Sequence, residues 1–344
     1  MKSVVCHGQK DLRIEEADAP VAAAGQVLIK IEAGGICGSD LHYFNNGGFG
    51  AIRIKEPMIL GHEVAGYISS LGEGVKDLAI GDLVAVNPSR PCGKCEYCRE
   101  AMYNQCIDMR YYGSAMRFPH IQGAFSQALA VEAWQCEKLA ADVTAQEAAF
   151  AEPLSVALSA INRAGNLMGK RVLVTGTGPI GALVVAVAKL HGALEVVATD
   201  MVDEALERAR AVGADKTINV ATHGAELEIY GQGKGVFDVV VEASGSEAAL
   251  RSALDMIRPR GRMIQLGLGG DVSLPLNQLV AKEIEMRGSF RFHEEFAWAV
   301  QLIGAKRLPL EPLLTGVFPI EDAVEAFEAA NDRKSSMKVQ LSFA

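Results

Sequence analysis

The run Arg171-Val172-Leu173-Val174-Thr175-Gly176-Thr177-Gly178-Pro179-Ile180-Gly181 decides the fold. Its first five residues are apolar enough, and the run short enough, for a buried strand. The next six form a G-x-G-x-x-G turn, and the apolar residues 182–190 read as a helix. That succession gives the glycines their meaning. Gly176 and Gly178 let the backbone approach a pyrophosphate, with Pro179 and Ile180 in the same cradle. Gly181 lets the helix press on the strand, and the helix start offers N–H donors and a positive dipole end. A glycine turn alone would be a weak sign, since a nucleotide-free α/β domain can carry one.

The residues downstream continue the pattern. A strand over 195–199 ends at Asp200, about where a carboxylate accepts from a ribose and repels a 2′-phosphate. Met201 and Val202 offer no cation beside it, and Arg208 lies two helical turns on, so NAD is expected over NADP. A charged helix over 203–212, strands over 216–220 and 237–242, a helix over 247–257 and a strand over 262–266 follow, with Leu266 assigned to the cofactor site. This alternation predicts a doubly wound parallel sheet, assigned to residues 153–288.

Upstream the chain reads differently. Short apolar or alternating runs at 2–7, 27–32, 63–71 and 82–87, punctuated by Gly, Pro and Asp, predict a compact, partly open β-barrel. Between them, in expected loops, lie Gly35-Ile36-Cys37-Gly38-Ser39-Asp40-Leu41-His42-Tyr43 and Gly61-His62-Glu63. Cys37, His62 and one carboxylate suit a zinc ion with an open fourth position, the ligand set of a catalytic site. Ser39 and His42 follow the thiol closely enough to carry a proton from an alcohol to water. Taken alone, Cys37 is a half-buried thiol near a turn; the rest of the chain reverses that reading.

Cys92, Cys95 and Cys98, with Cys106 seven residues further on, form the strongest metal signal. Four thiolates close a tetrahedron and leave no place for substrate, so this zinc is expected to be structural. The same ligands can hold an iron–sulfur cluster, which is the rival. Glu152 stands at the mouth of an apolar helix over 155–164. It is read either as an acid stabilised by the helix dipole or as the third zinc ligand, the role favoured over Glu63. After Gly288 come helices over 294–303 and 321–331, and 338–341 reads as a closing edge strand. Residues 289–344 are few for a separate core and are assigned, with 1–152, to the first domain.

Composition narrows the class. The 344 residues are 49% hydrophobic, with a net charge of −9, which argues against nucleic acid and anionic membranes as partners. No apolar run reaches membrane-spanning length, and the first residues lack the pattern of a signal peptide. Seven cysteines, four of them clustered, fit metal binding in a reducing cytoplasm better than a disulfide scaffold.

Together, Cys37-x-Ser39-Asp40-x-His42, Gly61-His62-Glu63, the four-cysteine lobe and the Gly176–Gly181 turn resemble the zinc-dependent medium-chain alcohol and polyol dehydrogenases, over essentially the whole chain. Glu152-Pro153 departs from the alcohol dehydrogenases, which place a cysteine there, and is similar to the polyol branch. The stretch 106–120, with Gly288-Ser289-Phe290-Arg291-Phe292, resembles the sugar-acid members of that branch, those acting on L-idonate. The resemblance implies a GroES-like β-barrel catalytic domain, an inserted Rossmann domain, two zinc ions per chain, NAD, a sugar-acid or polyol substrate and a homo-oligomer, dimer or tetramer. It places Cys37, His62 and Glu152 at the catalytic zinc with Glu63 beside them, Ser39 and His42 in a proton relay, and Tyr43 and Arg291 near the substrate. Arg117 is the further candidate for the carboxylate of a sugar acid. Two other readings share the fold: a zinc-free quinone-reductase-like enzyme and a crystallin-like protein without activity. The intact ligand set and the cysteine lobe speak against both.

Overall fold

The structure, a computed structural model, describes residues 1–343. Six parallel strands form one sheet in the order Lys216–Asn219, Glu195–Asp200, Arg171–Thr175, Phe237–Glu242, Ile257–Gln265 and Glu285–Gly288. Strand order reverses between Arg171–Thr175 and Phe237–Glu242, which opens a crevice at their carboxyl ends. Side chains alternate between two cores. Val172, Val174, Val239 and Val241 join one cluster with the helix Pro179–Leu190, while Leu173, Val240 and Leu254 join the cluster on the other face. Burial on both faces explains why these strands read as continuous apolar runs.

The helix starts at Pro179, three residues earlier than expected, because a proline's fixed φ suits the first helical position. The Ile257–Gln265 strand starts earlier than the sequence suggested, and Glu285–Gly288 was not expected as a strand. Pro259 and Arg260 read as breaks, and the edge strand is mostly exposed and lacks an apolar run.

The remaining chain builds a seven-stranded sheet ordered Cys136–Lys138, Leu83–Val86, Glu63–Leu71, Gln26–Gly35, Lys338–Ser342 and Leu314–Pro319, with Ala128–Glu132 also on Gln26–Gly35. A smaller sheet pairs Lys2–Gly8 with Asp11–Glu16 and Met58–Ile59. Val4, Ile29, Phe125, Phe327 and Phe343 pack in the core between them. Lys338–Ser342 is therefore an interior strand, not the edge that its sequence suggested. Leu314–Pro319 covers its outer side in parallel, with Pro319 at the last position of that strand.

The expected loop after Cys37 is a nine-residue helix, Gly38–Asn46. It is short and polar, so it carries little apolar periodicity. Its start is fixed instead by the Asp40 carboxylate, which accepts from the Cys37 N–H at 3.0 Å. The helix Ala151–Ala164 begins at the candidate site and runs along the seam between the sheets, where Leu154, Leu158 and Ile161 share a core with Ala33, Ala65 and Val184. Among the described residues no helix is long and apolar enough to cross a membrane.

Candidate active site

Two chain segments make the centre. The strand Gln26–Gly35 ends opposite Glu63, since Gly35 pairs with it in the ladder. Cys37 follows two residues later at the start of its helix, where a thiolate faces free N–H groups and a positive dipole end. A Cβ on Gly35 would lie 2.1 Å from Glu63 Oε2, so a glycine is required for the carboxylate to sit there. The donor atoms of Cys37, His62 and Glu63 all lie within 4.8 Å of one another. A thiol, an imidazole and a carboxylate at that spacing fit zinc and leave a fourth position open.

Glu152 is not in that triple. It lies in the first turn of Ala151–Ala164, buried, and its Oε1 accepts from the Tyr111 hydroxyl at 2.5 Å. Glu63 thus stands with Cys37 and His62, whereas Glu152, the carboxylate favoured from sequence, stands behind with Tyr111. The neck of the cysteine lobe delivers Tyr111, where Ser89–Arg90 pairs with Arg110–Tyr111. Burial, then the Glu152 charge, pushes the Tyr111 hydroxyl well above its ordinary pKa, so it stays protonated and donates.

The site is dense in negative charge. Burial resists protonation of His62, but Asp40 and Cys37 overcome that and raise it to about 10. A dication in the same position would satisfy the field that otherwise draws a proton. Asp40 has no exposed surface, accepts from Gly61 N at 3.1 Å and stands 3.8 Å from His62 Nδ1. It is positioned to orient the ring behind a metal. Lys338, from the interior strand, lies 2.8 and 2.7 Å from the two Glu63 oxygens and donates to Ile36 O at 3.2 Å. Both partners of this pair are buried, at 3% and 1% side-chain exposure.

Ser39 and His42 lie on the Gly38–Asn46 helix, three residues apart and so on one face. Burial, then the Arg333 charge, holds the His42 imidazole below its ordinary pKa. Tyr43 is buried, and its hydroxyl accepts from Ala115 N at 3.0 Å.

The four lobe cysteines converge with all sulfurs within 4.8 Å, and none is in a disulfide. Cys95 Sγ lies 3.5 Å from Cys98 Sγ and 4.0 Å from Cys106 Sγ. Four sulfurs each ~2.3 Å from one zinc stand roughly 3.8 Å apart, so the spacing fits. Backbone N–H groups of Cys98 and Ile107 lower the Cys95 thiol to about 6, while burial pushes Cys98 up to about 12.

The glycine turn is built as a cradle. Gly176 has φ of 81°, and a Cβ there would meet Ser244 Cα at 2.7 Å. A Cβ on Gly181 would lie 1.8 Å from Gly176 O. Gly178 is the N-cap and supplies no side chain, which leaves the first helical N–H groups free for a phosphate. Asp200 Oδ2 accepts from Thr177 N at 2.7 Å and Oδ1 from Met201 N at 2.7 Å, which fixes the carboxylate at the crevice. Leu266 follows the strand end, and its N–H donates to Glu242 O at 2.9 Å.

A cleft of about 310 Å³ adjoins this centre, lined by Met109, Tyr111, Ser114, Met116, Arg117 and Arg291 among others. The Arg291 guanidinium lies over the Tyr111 ring at 4.1 Å and the Phe290 ring at 4.9 Å, and Tyr111 in turn lies 5.5 Å from the His62 ring. Among the described residues Arg291 forms no ion pair; its hydrogen bond goes to the Met116 sulfur at 3.6 Å. Arg117 differs. It is ion-paired with Asp108, and both side chains are about two-fifths exposed. The structure therefore puts both arginines at the cleft, and among the described residues only Arg117 of the two has an ion-pair partner.

Residues 23–141 match the alcohol dehydrogenase GroES-like domain family, and residues 179–305 match the zinc-binding dehydrogenase family. The L-idonate 5-dehydrogenase (NAD(P)(+)) of Escherichia coli (strain K12) is 42% identical over 343 residues, covering 99% of this chain and 98% of that protein. The chain belongs to the zinc-dependent medium-chain polyol dehydrogenases. The sorbitol dehydrogenase of Macaca fascicularis is 36% identical over 337 residues, covering 95% of this chain and 91% of that protein. The crystal structure of L-idonate 5-dehydrogenase from Escherichia coli K-12 superposes with a TM-score of 0.95 at 42% identity, covering 99% of this chain and 97% of that one.

Three residues of this polyol dehydrogenase's site had no role assigned from sequence. Asp40 lies inside the quoted motif, where the i to i+3 spacing from Cys37 signals a cap. Tyr111 stood among the aromatic residues after Cys106 without a partner. Lys338 gave no signal at all, because its partner is 275 positions away.

Proposed function

We propose that this dehydrogenase oxidises L-idonate at carbon 5 to 5-ketogluconate with NAD, and that Cys37, His62 and Glu63 hold the catalytic zinc. Bound there, zinc supplies Lewis-acid chemistry toward the substrate hydroxyl and NAD supplies the acceptor for a hydride. The chain's own residues do the rest. Arg291 binds the substrate carboxylate and turns carbon 5 toward His62. Ser39 takes the hydroxyl proton at its Oγ and passes it to a ring nitrogen of His42, which its depressed pKa keeps neutral and able to accept. Lys338 and Tyr111 keep Glu63 and Glu152 in place.

The observation that carries the sugar-acid reading is the Arg291 guanidinium, half-buried at the cleft wall and, among the described residues, without an ion-pair partner. A charged hydrogen bond contributes about 1.5–3 kcal/mol, which corresponds to about ten- to over a hundredfold in kcat/KM. L-Idonate is therefore expected to exceed sorbitol by at least about tenfold. Arg291→Met should erode that ratio, whereas Arg117→Met, whose charge Asp108 already balances, should move it little. Steady-state kinetics on both substrates checks this. If sorbitol or xylitol equals or beats L-idonate in the wild type, the neutral polyol reading takes its place.

Cofactor choice follows from Asp200. Its fixed carboxylate meets a 2′-phosphate with like charge, and Arg208 reaches instead toward Pro312 O at 3.3 Å and Ser335 O at 3.4 Å. NAD should exceed NADP in kcat/KM by at least about tenfold, as expected for one unfavourable charge contact. Asp200→Ala should narrow that gap. A wild type that works better with NADP would overturn the assignment.

A further inference from the structure

Glu242 ends the strand Phe237–Glu242 with no exposed surface, and among the described residues no lysine or arginine pairs with it. A buried carboxylate needs donors, and here the chain supplies them from three strand ends. It accepts from Ser244 N at 2.8 Å, Gly245 N at 3.0 Å, the Gln265 amide at 2.7 Å and the Thr175 hydroxyl at 3.4 Å, and also from the Ser244 hydroxyl. The register puts Thr175, Glu242 and Gln265 side by side in one row at the carboxyl edge of the sheet. Thr175 is the residue before the glycine turn.

The backbone shows why that row matters. A Cβ on Gly267 would lie 2.2 Å from Gly245 N, and one on Gly269 would lie 1.6 Å from Gly245 O. Gly176 packs on Ser244 in the same way. Three turns, at 176–178, 243–246 and 266–269, thus press on one another mainly through main chain, with the Ser244 Cβ and the Glu242 carboxylate as the side-chain atoms at the contact. Little in such a contact can adjust by a rotamer change, so its shape depends on what gathers the N–H groups beneath it. The Glu242 carbonyl adds to this, accepting from Leu266 N at 2.9 Å and Gly267 N at 2.8 Å.

The sheet order divides the crevice. Asp200 lies on one side of the reversal, where the adenosine ribose belongs, and Glu242 and Gln265 lie on the other. We propose that Glu242 is the positioning residue for the nicotinamide half of the cleft. It sets the two turns that border that half and acts through Ser244, Gly245 and Gln265 rather than by touching the cofactor. This rests on the dinucleotide reading above. The role needs a carboxylate. Two acceptor oxygens meet five donors, whereas a glutamine of the same shape brings an NH₂ group against them.

The test is binding to the full-length protein, with NADH followed by fluorescence and AMP as a probe of the adenosine half alone. Loss of charged hydrogen bonds at the turns should raise the NADH Kd of Glu242→Gln about tenfold or more, and leave the AMP Kd within about twofold. Gln265→Leu removes one donor at a less buried position and should raise the NADH Kd by roughly threefold or more, again sparing AMP. If both affinities move together, or if NADH binding is unchanged while thermal stability falls, Glu242 is a structural residue and the proposal is overturned. Should Glu242→Gln fail to fold, an unchanged NADH Kd in Gln265→Leu overturns it equally. A wild type that binds no NADH overturns the dinucleotide reading and this inference with it. An unaffected variant beside a binding wild type overturns this inference alone.

Discussion

Cys37→Ser is expected to lower turnover of L-idonate by at least about a thousandfold, and to leave a folded protein that carries one zinc in place of two. The magnitude follows from what the site supplies. Lewis-acid stabilisation of a developing alkoxide contributes several kcal/mol, and about 4 kcal/mol corresponds to a thousandfold. A serine hydroxyl does not ionise at neutral pH and is a poor zinc ligand, so a three-ligand set reduced to His62 and Glu63 releases the metal. The fold should survive, because the Gly38–Asn46 helix is capped through the Cys37 backbone N–H and the Asp40 carboxylate, and both remain. The lobe sulfurs of Cys92, Cys95, Cys98 and Cys106 form a separate set that the substitution does not touch. Elemental analysis, circular dichroism and steady-state turnover on the same preparation check all three parts. An active wild type containing one zinc per chain would end the two-zinc reading.

Lys338→Met is expected to destabilise the protein by about 3–5 kcal/mol, the usual cost of leaving one member of a buried ion pair alone. Both Glu63 oxygens accept from Lys338 Nζ, and neither side chain reaches solvent. In the zinc-free protein, removing the lysine leaves the Glu63 carboxylate buried beside Asp40 and Glu152, with the His62 imidazolium as the near cation. Changing both partners, to Lys338→Met with Glu63→Gln, should restore most of that stability in the zinc-free protein, because the two charges of the pair leave together. Denaturant unfolding of the wild type, both single variants and the double variant gives the coupling energy directly. A single-variant cost below about 1 kcal/mol would mean that the pair is not a buried charge pair in solution.

Sequence and structure agree best where information is local. The strand Arg171–Thr175, its glycine turn and Asp200 could be read because each element's cue lies inside the element. Cys92, Cys95 and Cys98 could be read because chelate spacing is a short-range property. Cys37 and His62 needed the whole chain's context, yet the residue types sufficed to bring them together. Choosing between Glu63 and Glu152 was a different problem. It turns on which carboxylate lies within reach of Cys37 and His62, and the partners that hold the two, Lys338 and Tyr111, arrive from remote strands. Arg117 meets the same limit: a free cation and one paired with Asp108 look alike in a string of letters. The Glu285–Gly288 and Leu314–Pro319 strands lacked an apolar pattern because they sit at sheet margins, where pairing rather than burial defines them.

The placement of Lys338–Ser342 inside the catalytic sheet has a consequence for the order of events on the ribosome. Domains ordinarily close in the order in which they are made. Here the parallel sheet is contiguous from Arg171 to Gly288, so all of its strands are at hand while the chain is still growing. The strand Gln26–Gly35 emerges much earlier, yet it waits through all of that synthesis for the partner that lies along it, and Glu63 waits for its counter-charge. Translation therefore completes the nucleotide half first. The metal-binding half, begun before it, is finished by a segment that leaves the exit tunnel after everything it must join.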